Sequence, residues 1–273
     1  MNFEKMKLFF AKYKIVKIIF IIIYICAISY GFYWLYSSSL SDTVKGVIGT
    51  ILGAVVGGSF TLLGSLIINT HVQKAANAIR RKNVIYKPLY DELTIIHNEI
   101  LKENPYPNFI EFQKGSQTIL KHPQYTVWGR IKNDTRYLEV PSKLKDAMES
   151  LYASIDLYIE KRKNAVVALD KIYKDSFKKI TKLDIVRRIN IGNSILSDIL
   201  QGNRTQTSLF SWSDRGFSLD EEELLWNELI KMARINDELK QCKEAKVAWN
   251  MAEEHALKIL GTYIQYIIAK YEE

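Results

Sequence analysis

Two uncharged runs, Ile18 to Tyr36 and Gly46 to Thr70, constrain this chain more than any other feature. They hold nineteen and twenty-five residues. At ~1.5 Å per residue, each is long enough as a helix to cross a hydrocarbon core of about 30 Å. Buried helices of a soluble core seldom go so far without a charge. A cleavable signal sequence fits the first run poorly, because the run is too long and ends in Tyr33, Trp34 and Tyr36. Those aromatics suit a belt at the headgroups. The sequence therefore predicts transmembrane helices over 18–36 and 46–70, joined by a short external loop, 37–45.

The lysines orient the pair. Lys5, Lys7, Lys12, Lys14 and Lys17 precede the first span, and Lys74, Arg80, Arg81, Lys82 and Lys87 follow the second. The loop between holds only Asp42 and Lys45. The positive-inside rule places both termini in the cytoplasm. The basic stretch 1–17, a juxtamembrane helix 71–87 and a helical domain 88–273 then lie on that side. The richness in Ile, Lys, Asn and Tyr suggests an AT-rich bacterial or phage genome, so the expected location is a bacterial inner membrane. Two cysteines, Cys26 and Cys242, are too few for a disulfide scaffold and agree with a reducing compartment.

The net charge of +8 invites a nucleic-acid reading, but its distribution does not require one. Residues 1–45 carry six lysines against Glu4 and Asp42, which is half of the excess. That half faces the anionic headgroups of the bilayer. The segment Lys143 to Arg188 is the exception, with twelve basic and seven acidic side chains. It reads as a solvated helix face or as a surface for anionic lipid or nucleic acid.

The second span is rich in small residues. Gly49, Gly53 and Gly57 recur every four residues, and Thr61, Ser65 and Asn69 continue the row as a polar lining. A neighbouring row reads Gly46, Thr50, Ala54 and Gly58. Each glycine weakens a helix by about 1 kcal/mol relative to alanine, so such a face implies compensation by packing. In lipid, small-xxx-small faces let helices approach closely. Ala27 and Gly31 on the first span could receive one row; two adjacent rows predict self-association as a homo-oligomer.

Beyond the spans the chain reads as all helix. The second span is expected to run on to about Tyr86, as a rod that couples the cytoplasmic part to the membrane. Pro88 suits the first turn of a new helix, Leu89 to Lys102. Asn104 to Asn108 is a loop signal. Phe109 to Val140 predicts a short helix and turns at Gly129, Asn133 and Asp134, with Tyr125, Val127 and Trp128 in a brief strand or simply packed. The face Leu144, Met148, Leu151, Ile155 and Tyr158 resumes after Arg162, which predicts a helix of about 40 residues after Pro141. Leu183 to Gln201 predicts a shorter one, ended by Gly202-Asn203. Ser218 with Glu221 is a capping box that opens the last long helix, whose apolar face runs from Leu225 to Ile267. Its mean step near 3.5 residues favours antiparallel, coiled-coil-like pairing with the 40-residue helix.

Chemistry is sparse. No phosphate loop, dinucleotide fingerprint, HExxH or CxxC occurs. His97 and His255 have nearby glutamates without the Glu-x-x-His spacing of a di-iron bundle. No catalytic residue, metal site or cofactor is expected. Two patches join aromatics to arginines, the pattern that suits a small anionic ligand or a protein partner. One holds Trp128, Arg130 and Arg136; the other holds Arg204, Trp212 and Arg215. The layout resembles that of several bacterial antiviral and stress effectors, without a family signature. That resemblance implies a membrane-perturbing effector with a cytoplasmic sensor. The alternative is a membrane-anchored scaffold that binds a cytoplasmic protein along its long helices.

Overall fold

The computed structural model describes residues 24, 26–112, 122–182, 191–202 and 218–272. Among them the chain is mainly helical, and the only pairing of extended backbone is an isolated bridge between Glu111 and Gln124. The chain divides into two compact units, Met1–Ala76 and Asn77–Glu273.

In the first unit, a helix α1 is described over 26–37. The Ser37 and Ser38 hydroxyls close its end on the carbonyls of Trp34 and Leu35. A second helix, α2, begins at Asp42 and continues to Glu103. It contains an 18-residue window of mean hydropathy 2.1, none of it buried within the chain. By length and composition this helix can cross a membrane.

The juxtamembrane expectation needs correction at Pro88. The helix does not stop and restart there. Asp42–Arg81 passes into a π-turn at Lys82–Tyr86, and the helix resumes as Lys87–Ile95. Proline lacks an N–H, and its ring presses on the carbonyl four residues back. The wider π-turn relieves that clash: the Lys87 N–H bonds to the Lys82 carbonyl, five residues away. A second π-turn, Ile96–Ile100, precedes the last turn, Leu101–Glu103.

The second unit is built round α5 (Ser142–Thr181), whose 40 residues match the expected helix. It follows two short helices, α3 (Val127–Lys132) and α4 (Arg136–Glu139). Gly129 lies inside α3 rather than at a turn. Tyr125, Val127 and Trp128 pack in the core. Then come α6 (Ile191–Gln201), α7 (Leu219–Ile235) and α8 (Asp237–Tyr271). Gly202 ends α6 with φ +71, the left-handed geometry that favours glycine at this position.

The expected final helix is two helices. Ser218 does cap α7 through a capping box with Glu221. At Asn236 the backbone turns extended, and its side chain accepts the Leu239 N–H at 3.0 Å to start α8. Asn236 with Asp237 and Glu238 is a helix start in its own right.

Helices α5 and α8 run side by side in opposite directions. Tyr158 meets Trp249 with ring centroids 5.0 Å apart, while Lys143 and Thr262 line one cavity. Leu144, Leu151, Ile155 and Leu169 of α5 are fully buried with Cys242, Trp249, Ala256 and Leu260 of α8. Ile85, Leu89 and Leu93 of α2 join this core. Each such aliphatic side chain contributes roughly 1.5–3 kcal/mol. On the other side, α6 docks by a close approach at Gly192. Its N–H donates to Asp170 at 2.7 Å, and a Cβ there would lie 2.6 Å from the Val166 carbonyl.

Candidate functional site

The small face of α2 is open. A Cβ added at Gly46, Gly53, Gly57, Gly58 or Gly64 would meet no atom within 4 Å among the described residues. At Gly49 it would meet Leu35 at 3.7 Å. Between 42 and 64 the partly covered positions are Lys45, Ile48, Gly49, Leu52, Val56, Ser59 and Gly64, most of them at helical spacing. Gly53, Ala54, Gly57 and Gly58 are exposed. On α1, Ala27 is exposed and Gly31 is half-buried, with nothing within 4 Å of an added Cβ.

The polar row lies along an open strip of α2 formed by Thr61, Gly64, Ser65, Ile68, Asn69 and Val72. Thr61 and Ser65 donate to the carbonyls of Gly57 and Thr61, at 2.9 and 2.6 Å. Their hydroxyls are therefore satisfied within the helix, which makes them tolerable in lipid. The Asn69 amide makes no hydrogen bond among the described residues.

In the second unit two residues of the expected patch, Trp128 and Arg136, have partners within the fold. Trp128 is buried against Tyr137. Arg136 ion-pairs with Asp134 and donates Nη1 to the Val84 carbonyl at 3.2 Å. Val84 is the residue whose carbonyl loses its donor at Pro88. Arg130 is exposed on α3, the helix that carries Trp128. Arg204, Trp212 and Arg215 lie outside the described residues, as do 183–190 and most of the first predicted span.

The deepest polar constellation was not among the expected sites. Glu253 is fully buried on α8. It accepts from the Tyr125 hydroxyl at 2.6 Å and pairs with His97 Nδ1 at 3.1 Å. Trp249 Nε1 donates to the same Tyr125 oxygen at 2.9 Å. Lys246, also buried, stacks its ammonium 3.9 Å above the Trp249 ring. Burial pushes the Glu253 carboxyl above the ordinary carboxylate range, against the hydrogen bonds of Tyr125 and His97. It also pulls the Lys246 amine down to about 8. Glu92 behaves like Glu253: burial raises it, although its oxygens accept from Thr126 and from the Val127 N–H at the start of α3. One sequence signal was available. Lys246 and Glu253 interleave with Cys242, Trp249 and Ala256 on the apolar stripe, at steps of three and four.

The buried constellation fastens α2, α8 and the segment before α3 to one another. Among the described residues, no three His, Cys, Asp or Glu side chains converge as metal ligands. Cys242 is buried, and burial pushes its thiol up to about 11, away from reactivity. No protein-family model, no curated protein and no solved structure matches this chain.

Proposed function

We propose that the chain is a bacterial inner-membrane protein that self-associates through the small face of its second span and couples a cytoplasmic helical domain to the membrane. The expected spans, 18–36 and 46–70, would then form a transmembrane hairpin with both termini cytoplasmic. The pairing of α5 with α8 forms the coiled-coil-like body of the sensor. The class of function that suits this layout is a membrane-perturbing effector of stress or antiphage defence.

One observation carries the reading: five glycines of α2 face open space among the described residues, at a helical cost of about 1 kcal/mol each. A second copy offering the same face is the natural filling, because close van der Waals approach is what drives association in lipid. Asn69, with its amide free, adds a polar group able to bond across such an interface.

The test is the mass of the full-length protein in nanodiscs by native mass spectrometry. Four or more copies are expected, falling to one or two for Gly53→Leu, whose side chain would hold the faces apart. A wild-type mass of one or two copies, with and without added cell lysate, sinks self-association. The membrane-anchored scaffold would then be the better description.

A further inference from the structure

Several cations of the helical unit have carboxylate partners. Arg80 and Arg81 reach Glu139, Lys82 reaches Glu272, Arg136 reaches Asp134 and Lys179 reaches Glu228. Lys143, His255 and Lys258 do not: among the described residues, no carboxylate forms an ion pair with any of the three. They line one cavity of about 270 Å³ between the first turn of α5 and the later half of α8. Ile259, Thr262 and Tyr263 complete its wall, and no acidic residue does.

A second basic cavity makes the contrast. It holds about 320 Å³ beside the ends of α6 and α7, with Arg234, Lys240 and Lys243 on its rim. Helix electrostatics account for much of that charge. Arg234 stands in the last turn of α7, where a cation offsets the dipole, and Lys240 lies 3.5 Å from Asp237. The first cavity has no such account. Lys143 sits in the first turn of α5, where the dipole disfavours a cation, and no acidic residue shares that turn.

We propose that the cavity of Lys143, His255 and Lys258 binds a phosphate group, carried either by a soluble phosphate or by a lipid headgroup. Two lysine ammonium groups supply point charges, and the His255 imidazole supplies an N–H. The volume falls below the roughly 300–1,000 Å³ of pockets for drug-sized ligands, so it fits a phosphate or pyrophosphate rather than a whole nucleotide. This site belongs to the helical unit alone and stands whether or not α2 self-associates.

The probe is inorganic pyrophosphate, titrated calorimetrically into the full-length protein in nanodiscs of phosphatidylcholine alone. Saturable binding is expected, weakened at least tenfold by Lys143→Glu and by Lys258→Glu. Both positions are exposed, so helical circular dichroism should be unchanged. Lys240→Glu, at the other cavity, should leave binding intact. Repeating the titration with phosphatidylglycerol in the disc separates the sources. Loss of pyrophosphate binding there assigns the site to a headgroup, and retention assigns it to a soluble phosphate. No saturable binding in phosphatidylcholine, or binding that survives both substitutions, overturns the proposal.

Discussion

Pro88 leaves the carbonyl of Val84 without the N–H an α-helix would offer it, and Arg136 supplies one from another element. The same guanidinium is held by Asp134 through Nε at 2.7 Å, so its planar fork is aimed before it reaches Val84. Removing the donor strands a backbone acceptor, at a cost of about 1–3 kcal/mol. Arg136 is one-third exposed, which lets water substitute and places the loss near the low end. Arg136→Ala should therefore lower stability by about 1 kcal/mol, read as the urea midpoint of the full chain followed by tryptophan fluorescence. Arg136→Lys should recover only part, since an ammonium cannot serve Asp134 and Val84 as a fork. In a Pro88→Ala background the helix regains its own donor, and the cost of Arg136→Ala should shrink. Equal costs in both backgrounds would show that Arg136 does not serve the Val84 carbonyl.

At the scale of elements, local signals and tertiary ones divide what could be read from the sequence. The ends of α5 and the capping box of α7 were legible because Pro141, Ser218 and Glu221 act within a few residues of themselves. The passage of α2 through Pro88 was not, because its compensation comes from Arg136, about fifty residues on. The break at Asn236 was legible in principle, as Asn-Asp-Glu is a start signal, but an unbroken apolar stripe masked it. Of the expected ligand patch, the residue types were visible but the partners were not: Trp128 packs against Tyr137 of α4, and Arg136 donates to the Val84 carbonyl of α2. Asn236 gives the element-scale prediction. Its side chain holds the Leu239 N–H, so Asn236→Ala should cost about 0.5–2 kcal/mol, and Asn236→Asp, which keeps an acceptor, should cost little. Equal urea midpoints for wild type and Asn236→Ala would mean that packing of α7 and α8 alone sets the break.

For the molecule as a whole, the buried charges should dictate how stability follows pH. Glu92 and Glu253 are raised above the ordinary carboxyl value of 4.5 by burial, so the folded chain still holds protons that the unfolded chain has released. Stability contributed by these groups is full below about 4.5 and is lost as pH rises through their folded values. Lys246 acts in the opposite sense. Its amine falls to about 8 from 10.5, so between those values the unfolded chain binds the extra proton and stability recovers as pH rises. Glu139 and Asp134 are lowered, by Arg80 and Arg136, but both are solvated, and their small contributions belong to the acid side of the range. The helical unit should thus be less stable near pH 7 than near pH 5, and should regain stability from pH 8 towards 10. Glu253→Gln keeps an acceptor for Tyr125 while removing the titration, so it should flatten the loss between pH 5 and 7. A tenfold change in acidity corresponds to about 1.4 kcal/mol, which urea titrations at each pH resolve readily. An unchanged slope in Glu253→Gln would mean that Glu253 is already ionised in the folded chain at pH 5, so that a charged carboxylate makes the link from α8 to His97 on α2. A flattened slope would instead show that the buried carboxyl keeps its proton in the folded chain, and that the link is a neutral hydrogen bond.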